Sequence, residues 1–169
     1  LWTPFRERFV TMPPGSCFGR KGDNVTEDKS KYIIVGASAA GMAAAHTLRL
    51  HDQQGAVTVL SEEPDAPYYR PLIPFLVSGK KRAQDMVLSG CGPYTGRDIF
   101  VRTGARVESV NTAEKTVAVQ GSGSLAYEKI LFATGSRPYI PPEIDGIHAK
   151  GVFALRTLAH ARDMVKRVE

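Results

Sequence analysis

Cysteine is almost missing from the chain: Cys17 and Cys91 are the only two in 169 residues. They lie far apart and fit no metal-ligand or redox spacing, so neither a metal site nor a paired-cysteine redox centre is expected. A reduced, cytoplasmic setting is the matching expectation. No apolar run reaches the roughly 20 residues of a membrane span. The longest uncharged stretch, Tyr32–Leu48, is shorter and rich in Gly and Ala. Leu1–Gly15 lacks the continuous apolar segment of a signal peptide. Internal repeats are absent. Aromatic residues do not interleave with basic ones, and this matters because the net charge is +5. The basic clusters, Arg6/Arg8, Arg20/Lys21 and Lys80-Lys81-Arg82, are small and scattered. They read as solvated surface, and no nucleic-acid partner is expected.

What is present is a globular composition, 43% hydrophobic and 23% charged, enough for one domain with a core. Residues 1–30 stand apart. They hold Pro4, Pro13-Pro14, Gly15, Gly19 and Gly22 and then a polar stretch, with no periodicity. A flexible N-terminal segment is expected there, with Trp2, Phe5 and Phe9 available to dock it on a neighbour. The chain begins without Met, so processing or a longer parent is expected.

From Tyr32 the punctuation is regular. Tyr32–Val35 reads as a buried strand, Ala39–Leu50 as a helix of small residues ending near Gly55, and Val57–Leu60 as a second buried strand. Two apolar runs joined by a helix make a βαβ unit with parallel strands. Prolines 67, 71 and 74 mark a turn into a short helical piece around Phe75–Ser78. Ile99–Arg102, Ala105–Val110, Thr116–Gln120 and Leu125–Tyr127 read as a small antiparallel meander, and Lys129–Ala133 as a further buried strand. Thr157 is placed to cap a last helix, Leu158–Val168. The fold class expected is α/β: a mostly parallel, Rossmann-like sheet with a β-meander.

The turn Gly36-Ala-Ser-Ala-Ala-Gly41 follows the first strand and opens the helix. Free amides and the helix dipole at such a start favour a phosphate anion. Gly36 makes the tight turn, and Gly41 lets the helix approach the sheet. Ala37, Ala39 and Ala40 keep the approach open. Ser38 replaces the usual middle glycine, but it is small and carries a hydroxyl donor. An acid is expected about 20 residues on, at the tip of the second strand, to bind ribose hydroxyls. Glu62 and Glu63 both stand there, and the sequence leaves the choice between them open.

Five motifs now fall in order: Gly36–Gly41, Glu62-Glu63-Pro64, Tyr68-Tyr69-Arg70-Pro71, Leu131-Phe-Ala-Thr-Gly-Ser-Arg-Pro138 and Gly151-Val-Phe-Ala-Leu-Arg-Thr157. This set resembles the FAD-binding domain of the pyridine nucleotide-disulfide oxidoreductase superfamily, in its rubredoxin reductase, ferredoxin reductase and NADH-nitrite reductase-like branch. The resemblance covers residues 32–157. It implies that Gly36, Ser38, Ala39, Ala40 and Gly41 cradle the FAD pyrophosphate, and that Glu63 or Glu62 takes the adenosine ribose. Arg70 and Pro71 would meet the flavin side. The backbone of Val107 would meet the adenine, and Ala133-Thr134-Gly135 would close over the cofactor. The implied chemistry is electron transfer from NAD(P)H through FAD to a small electron-carrier protein or small-molecule acceptor, with a homo-oligomer possible.

Departures from the family pattern matter equally. Pro71 stands where coenzyme A-disulfide reductases carry a redox cysteine. Nothing between 62 and 80 is Cys, so disulfide chemistry from this stretch is not expected. Ile73-Pro74-Phe75 replaces a Leu-Ser-Lys run, so no lysine is assigned beside the flavin. Cys91, in Ser89-Gly-Cys-Gly-Pro93, is taken as a loop cysteine. No acid, base or nucleophile is nominated. The resemblance places residues 31–157 in the FAD-binding domain and 158–169 at the start of a helix leading to an NAD(P)H-binding domain outside the sequence. Two rival readings remain: a non-redox module binding NAD or S-adenosylmethionine, and a non-catalytic fragment assembling through residues 1–30.

Overall fold

The computed structural model describes residues 29–88 and 99–168. The expectations for the N-terminal segment, for Cys17 and for Cys91 lie outside these residues. Two compact units are distinguished: within the described residues, one comprises 29–67 and 88–135, the other 68–87 and 136–168.

The larger unit is built on β1 (Lys29–Val35), α1 (Ala39–His51), β2 (Val57–Leu60), β3 (Ile99–Arg102), β4 (Val107–Asn111), β5 (Thr116–Val119) and β6 (Gly123–Phe132). They form a six-stranded sheet in the order β3-β2-β1-β6-β5-β4. Pairing is parallel among β3, β2, β1 and β6 and antiparallel through β5 and β4. Successive side chains on a strand point to opposite faces. Ile34, Val57, Val59 and Val101 therefore meet Met42 and Ala45 of α1 on one face. Ile33, Val35 and Leu60 meet Ala105, Val117, Val119, Leu125 and Tyr127 on the other. With both faces covered, Tyr32–Val35 and β2 need no polar alternation, and the one hydroxyl in β2, on Thr58, is buried against that of Ser30.

Alanine gives α1 its helix propensity. The helix ends at Asp52, whose Oδ1 accepts the amides of Gln54 (3.1 Å) and Gly55 (2.8 Å). Its Oδ2 accepts from Lys31 Nζ (2.6 Å) and Tyr32 OH (3.0 Å). The Lys31 bond, then these amides, hold the Asp52 carboxyl well below the usual carboxylate range.

Two expectations are corrected here. Ile99–Arg102 is not part of the meander: it runs parallel to β2 in the register Val57↔Ile99 to Leu60↔Arg102. Leu125–Tyr127 and Lys129–Ala133 are not separate strands but lie on one ten-residue strand, β6, ending at Phe132. It pairs with β5 from Gly123 to Ala126 and with β1 from Ala126 to Phe132. Its end is not buried either, since Leu131 is 42% and Phe132 59% exposed.

The smaller unit holds a 3-10 turn at Arg70–Leu72, α2 (Ile73–Val77), a second 3-10 turn at Ala83–Met86 and α3 (Leu158–Val168). The helical piece expected at Phe75–Ser78 is therefore found slightly earlier. Tyr68, Ile73, Leu76, Met86, Leu158 and Ala161 form its core. Thr157 caps α3 as expected: its Oγ1 accepts the His160 amide at 3.2 Å and its carbonyl the Ala161 amide at 3.1 Å.

Candidate functional site

The chain leaves β1 for β2 on one side, while β6 lies on the other side of β1. This is a topological switch point, and in open α/β sheets the crevice beyond the strand ends there is the ligand position. Gly36, Glu62-Glu63 and Ala133-Thr134-Gly135 all fall at these ends, because β1, β2 and β6 are parallel and finish in register.

Backbone bonds fix the loops at this edge. Gly36 N donates to Leu60 O at 2.8 Å, and Ala133 N to Val35 O at 2.8 Å. Gly36 has φ +114°, where side chains are strained. A Cβ on Gly36 would stand 2.2 Å from the Ala133 carbonyl oxygen. Gly41 is crowded for a different reason: its Cβ would lie 1.8 Å from the Gly36 carbonyl oxygen and 3.3 Å from Ile34 Cγ2. Both glycines are thus required by protein packing. The turn is drawn against the Ala133–Thr134 peptide, and α1 is drawn onto the turn. Gly135 also has positive φ, +71°.

Ser38 is the N-cap of α1 in extended conformation, φ −92° and ψ −169°, and its carbonyl accepts the Met42 amide at 3.0 Å. Ala39 and Ala40 are exposed, Gly41 buried. No acidic residue of α1 stands in its own first turn, so the helix itself brings no carboxylate to its positive end.

The loop after β2 is tied to the loop after β3. Ser61 N donates to Arg102 O at 2.9 Å, Gly104 N to Glu63 O at 3.0 Å, and Ala105 N to Ser61 O at 2.7 Å. Glu63 is half-buried and Glu62 exposed. Val107, half-buried at the start of β4, follows Ala105 by two residues, about 7 Å of extended chain at most. The same bonds therefore hold Val107 near the tip of β2. An anionic dinucleotide fits these features: a helix N-terminus with no acid in its first turn, small exposed residues beside it and a carboxylate at the next strand tip.

Arg70 and Pro71 belong to the smaller unit. Pro71 is exposed in the first 3-10 turn. Arg70 Nη1 donates to Tyr68 OH at 3.2 Å and to Arg156 O at 3.1 Å, and its Cζ stands 5.3 Å from the Tyr68 ring centroid. Sequence reasoning missed these two holders of Arg70. It also missed the Ala133 carbonyl beneath Gly36. Tyr68 was visible in the quoted motif, but a backbone carbonyl at residue 156 leaves no side-chain signal.

Among the described residues no group of three or more His, Cys, Asp or Glu is placed to hold a metal. No described helix is long and apolar enough to cross a membrane.

Comparison with known proteins supplies independent findings. The family model described as pyridine nucleotide-disulphide oxidoreductase matches residues 30–168. The chain is 33% identical over 134 residues to the NADH-dependent phenylglyoxylate dehydrogenase subunit epsilon of Aromatoleum evansii, covering 79% of this chain and 32% of that one. It is 29% identical over 137 residues to a rubredoxin-NAD(+) reductase of Pseudomonas putida, covering 80% and 35%. Among solved structures it is similar to NADH:rubredoxin oxidoreductase from Clostridium acetobutylicum, with TM-score 0.69 and 25% identity over 82% of this chain and 35% of that one. The chain spans about a third of the length of the curated relatives it matches.

Proposed function

Because the chain belongs to the pyridine nucleotide-disulphide oxidoreductase family, whose members use FAD and NAD(P)H, we propose that it is the FAD-binding part of an NAD(P)H-dependent flavoprotein oxidoreductase. The observation that carries this reading is the Gly36–Gly41 turn, locked beneath the Ala133 carbonyl at the switch point of the sheet.

In this reading the amides of Ser38, Ala39, Ala40 and Gly41 hold the pyrophosphate. Their positions are set by the two glycines, so binding requires little rearrangement. Glu63 accepts the ribose hydroxyls, its main chain held by Gly104. Glu62, exposed one residue earlier, is the alternative. Val107 presents backbone groups to the adenine, and Ala133–Gly135 covers the cofactor. Arg70 meets the flavin side with Pro71 beside it, and its fork suits a phosphate or other anionic acceptor. When bound, FAD supplies hydride acceptance and onward electron transfer; the protein contributes position and electrostatics. The electron acceptor of the whole protein is a small carrier protein or small molecule, as the rubredoxin named for two of its relatives suggests.

The test is direct. The purified chain is reconstituted with FAD and freed of excess. About one flavin per chain, released on heating, is expected. Uptake of NAD or S-adenosylmethionine with no flavin would establish the non-redox module instead.

A further inference from the structure

We infer that Tyr68 is a positioning residue for Arg70: its phenol, together with the start of α3, aims the guanidinium before any cofactor arrives. This rests on the reading above, in which Arg70 meets the flavin side of FAD.

Arg70 Nη1 carries two hydrogens, and it meets two oxygen acceptors, Tyr68 OH at 3.2 Å and Arg156 O at 3.1 Å. The Tyr68 ring, 5.3 Å from Cζ, adds a cation–π contact. One corner of a rigid planar fork is thereby fixed, and with it the direction of the rest. The holder is itself immobile. Tyr68 is 5% exposed and packs with Ile73, Leu76, Met86, Leu158 and Ala161. Its oxygen also accepts the Leu158 amide at 3.2 Å, the first orphan donor of α3. Residue Arg156 is held on its other side as well. Its amide donates to His160 Nδ1 at 3.3 Å, and the adjacent Thr157 is the helix cap.

Arginine has much rotamer freedom to lose on binding an anion. A guanidinium already held by a buried aromatic and a helix start has lost it beforehand, which strengthens binding without adding a contact to the ligand. Tyr68 thus acts on the cofactor only through Arg70. A purely structural tyrosine, packing the core and capping α3, would make no such coupling.

The experiment is a double-mutant cycle on the full 169-residue chain, with FAD affinity read by quenching of flavin fluorescence. Tyr68→Phe keeps the ring and removes the hydroxyl. Its FAD affinity is expected to fall about tenfold, the scale of a hydrogen bond to a charged group. In an Arg70→Gln background the same change is expected to cost nothing further. An equal loss in both backgrounds, or no loss at all, overturns the inference. A second measurement needs no FAD. In the wild-type chain the Arg70 side-chain nitrogens are expected to give separate, slowly exchanging NMR signals. Rotation as fast as that of a solvated arginine overturns the inference. A wild-type chain that takes up no FAD defeats the proposed function, and the same NMR signals, expected slow in wild type and faster in Tyr68→Phe, still decide the role of Tyr68.

Discussion

Replacing Gly41 by alanine tests the packing of the glycine turn. Helix propensity alone says the change helps, by about 1 kcal/mol. Gly41 lies inside α1 and is not among the positive-φ residues, so no backbone strain opposes alanine. The contact geometry says the reverse. The new Cβ would sit 1.8 Å from the Gly36 carbonyl oxygen, 1.2 Å inside the 3.0 Å below which such contacts essentially never occur. The obstructing atom is backbone and cannot rotate away. Overpacking of this kind costs about 1–3 kcal/mol, and a rigid obstacle puts it at the upper end. Subtracting the helix gain leaves a net loss of about 2 kcal/mol. For a chain of this size that is a fall of roughly 4–8 °C in melting temperature. On the proposed reading FAD affinity should fall as well, because α1 must lift from the turn assigned to the pyrophosphate. Gly121→Ala is the control: φ is +70° and nothing lies within 4 Å, so only a backbone cost of about 1–2 kcal/mol is expected. Thermal denaturation followed by circular dichroism ranks the three proteins. A Gly41→Ala chain melting at or above wild type would refute the reasoning.

Asp52 predicts acid sensitivity. Its folded carboxyl is held well below the ordinary range, chiefly by Lys31, so the stability it contributes is complete above the unfolded pKa of about 4 and drains away as pH falls below it. The melting advantage of wild type over Asp52→Asn should be present at neutral pH and shrink in melts taken progressively below about pH 4. An advantage that persists unchanged in acid contradicts this. The ribose assignment is tested by isothermal titration with FAD. Glu63→Gln should weaken binding about tenfold and Glu62→Gln less than about twofold, and the opposite order would move the role to Glu62. Thr157→Ala removes the α3 cap and should cost about 1 kcal/mol, a drop of roughly 2–4 °C in the melting temperature of the chain. An unchanged transition would mean that Tyr68 and His160 suffice to hold the helix start.

The βαβ unit was legible because its physics is local. An apolar run, a turn needing glycine and an alanine-rich helix all announce themselves within the span of residues 32–60. The Thr157 cap was legible for the same reason. Strand pairing was not, because a short apolar run carries no label for its neighbour. Ile99–Arg102 has the same character as the meander strands, yet it sits beside β2. The division between Leu125–Tyr127 and Lys129–Ala133 falls at Glu128, yet the chain runs straight through there with Glu128 exposed. Leu131 and Phe132 read as core by composition and are exposed by position. At the site, both glycines and the acidic pair were legible as types. What they touch was not: the obstacles facing Gly36 and Gly41 are carbonyl oxygens, and any residue supplies one.

Strand β6 serves two neighbours without a joint between them. Ala126 is the last residue paired with β5 and the first in the segment facing β1, so no loop is available to absorb a length change there. One residue inserted after Ala126 would invert the sidedness of everything downstream, since strand side chains alternate. The Ala133 carbonyl would then leave its seat under Gly36. Insertions and deletions should therefore be tolerated at the 120–122 hairpin tip and lethal to cofactor uptake just a few residues later.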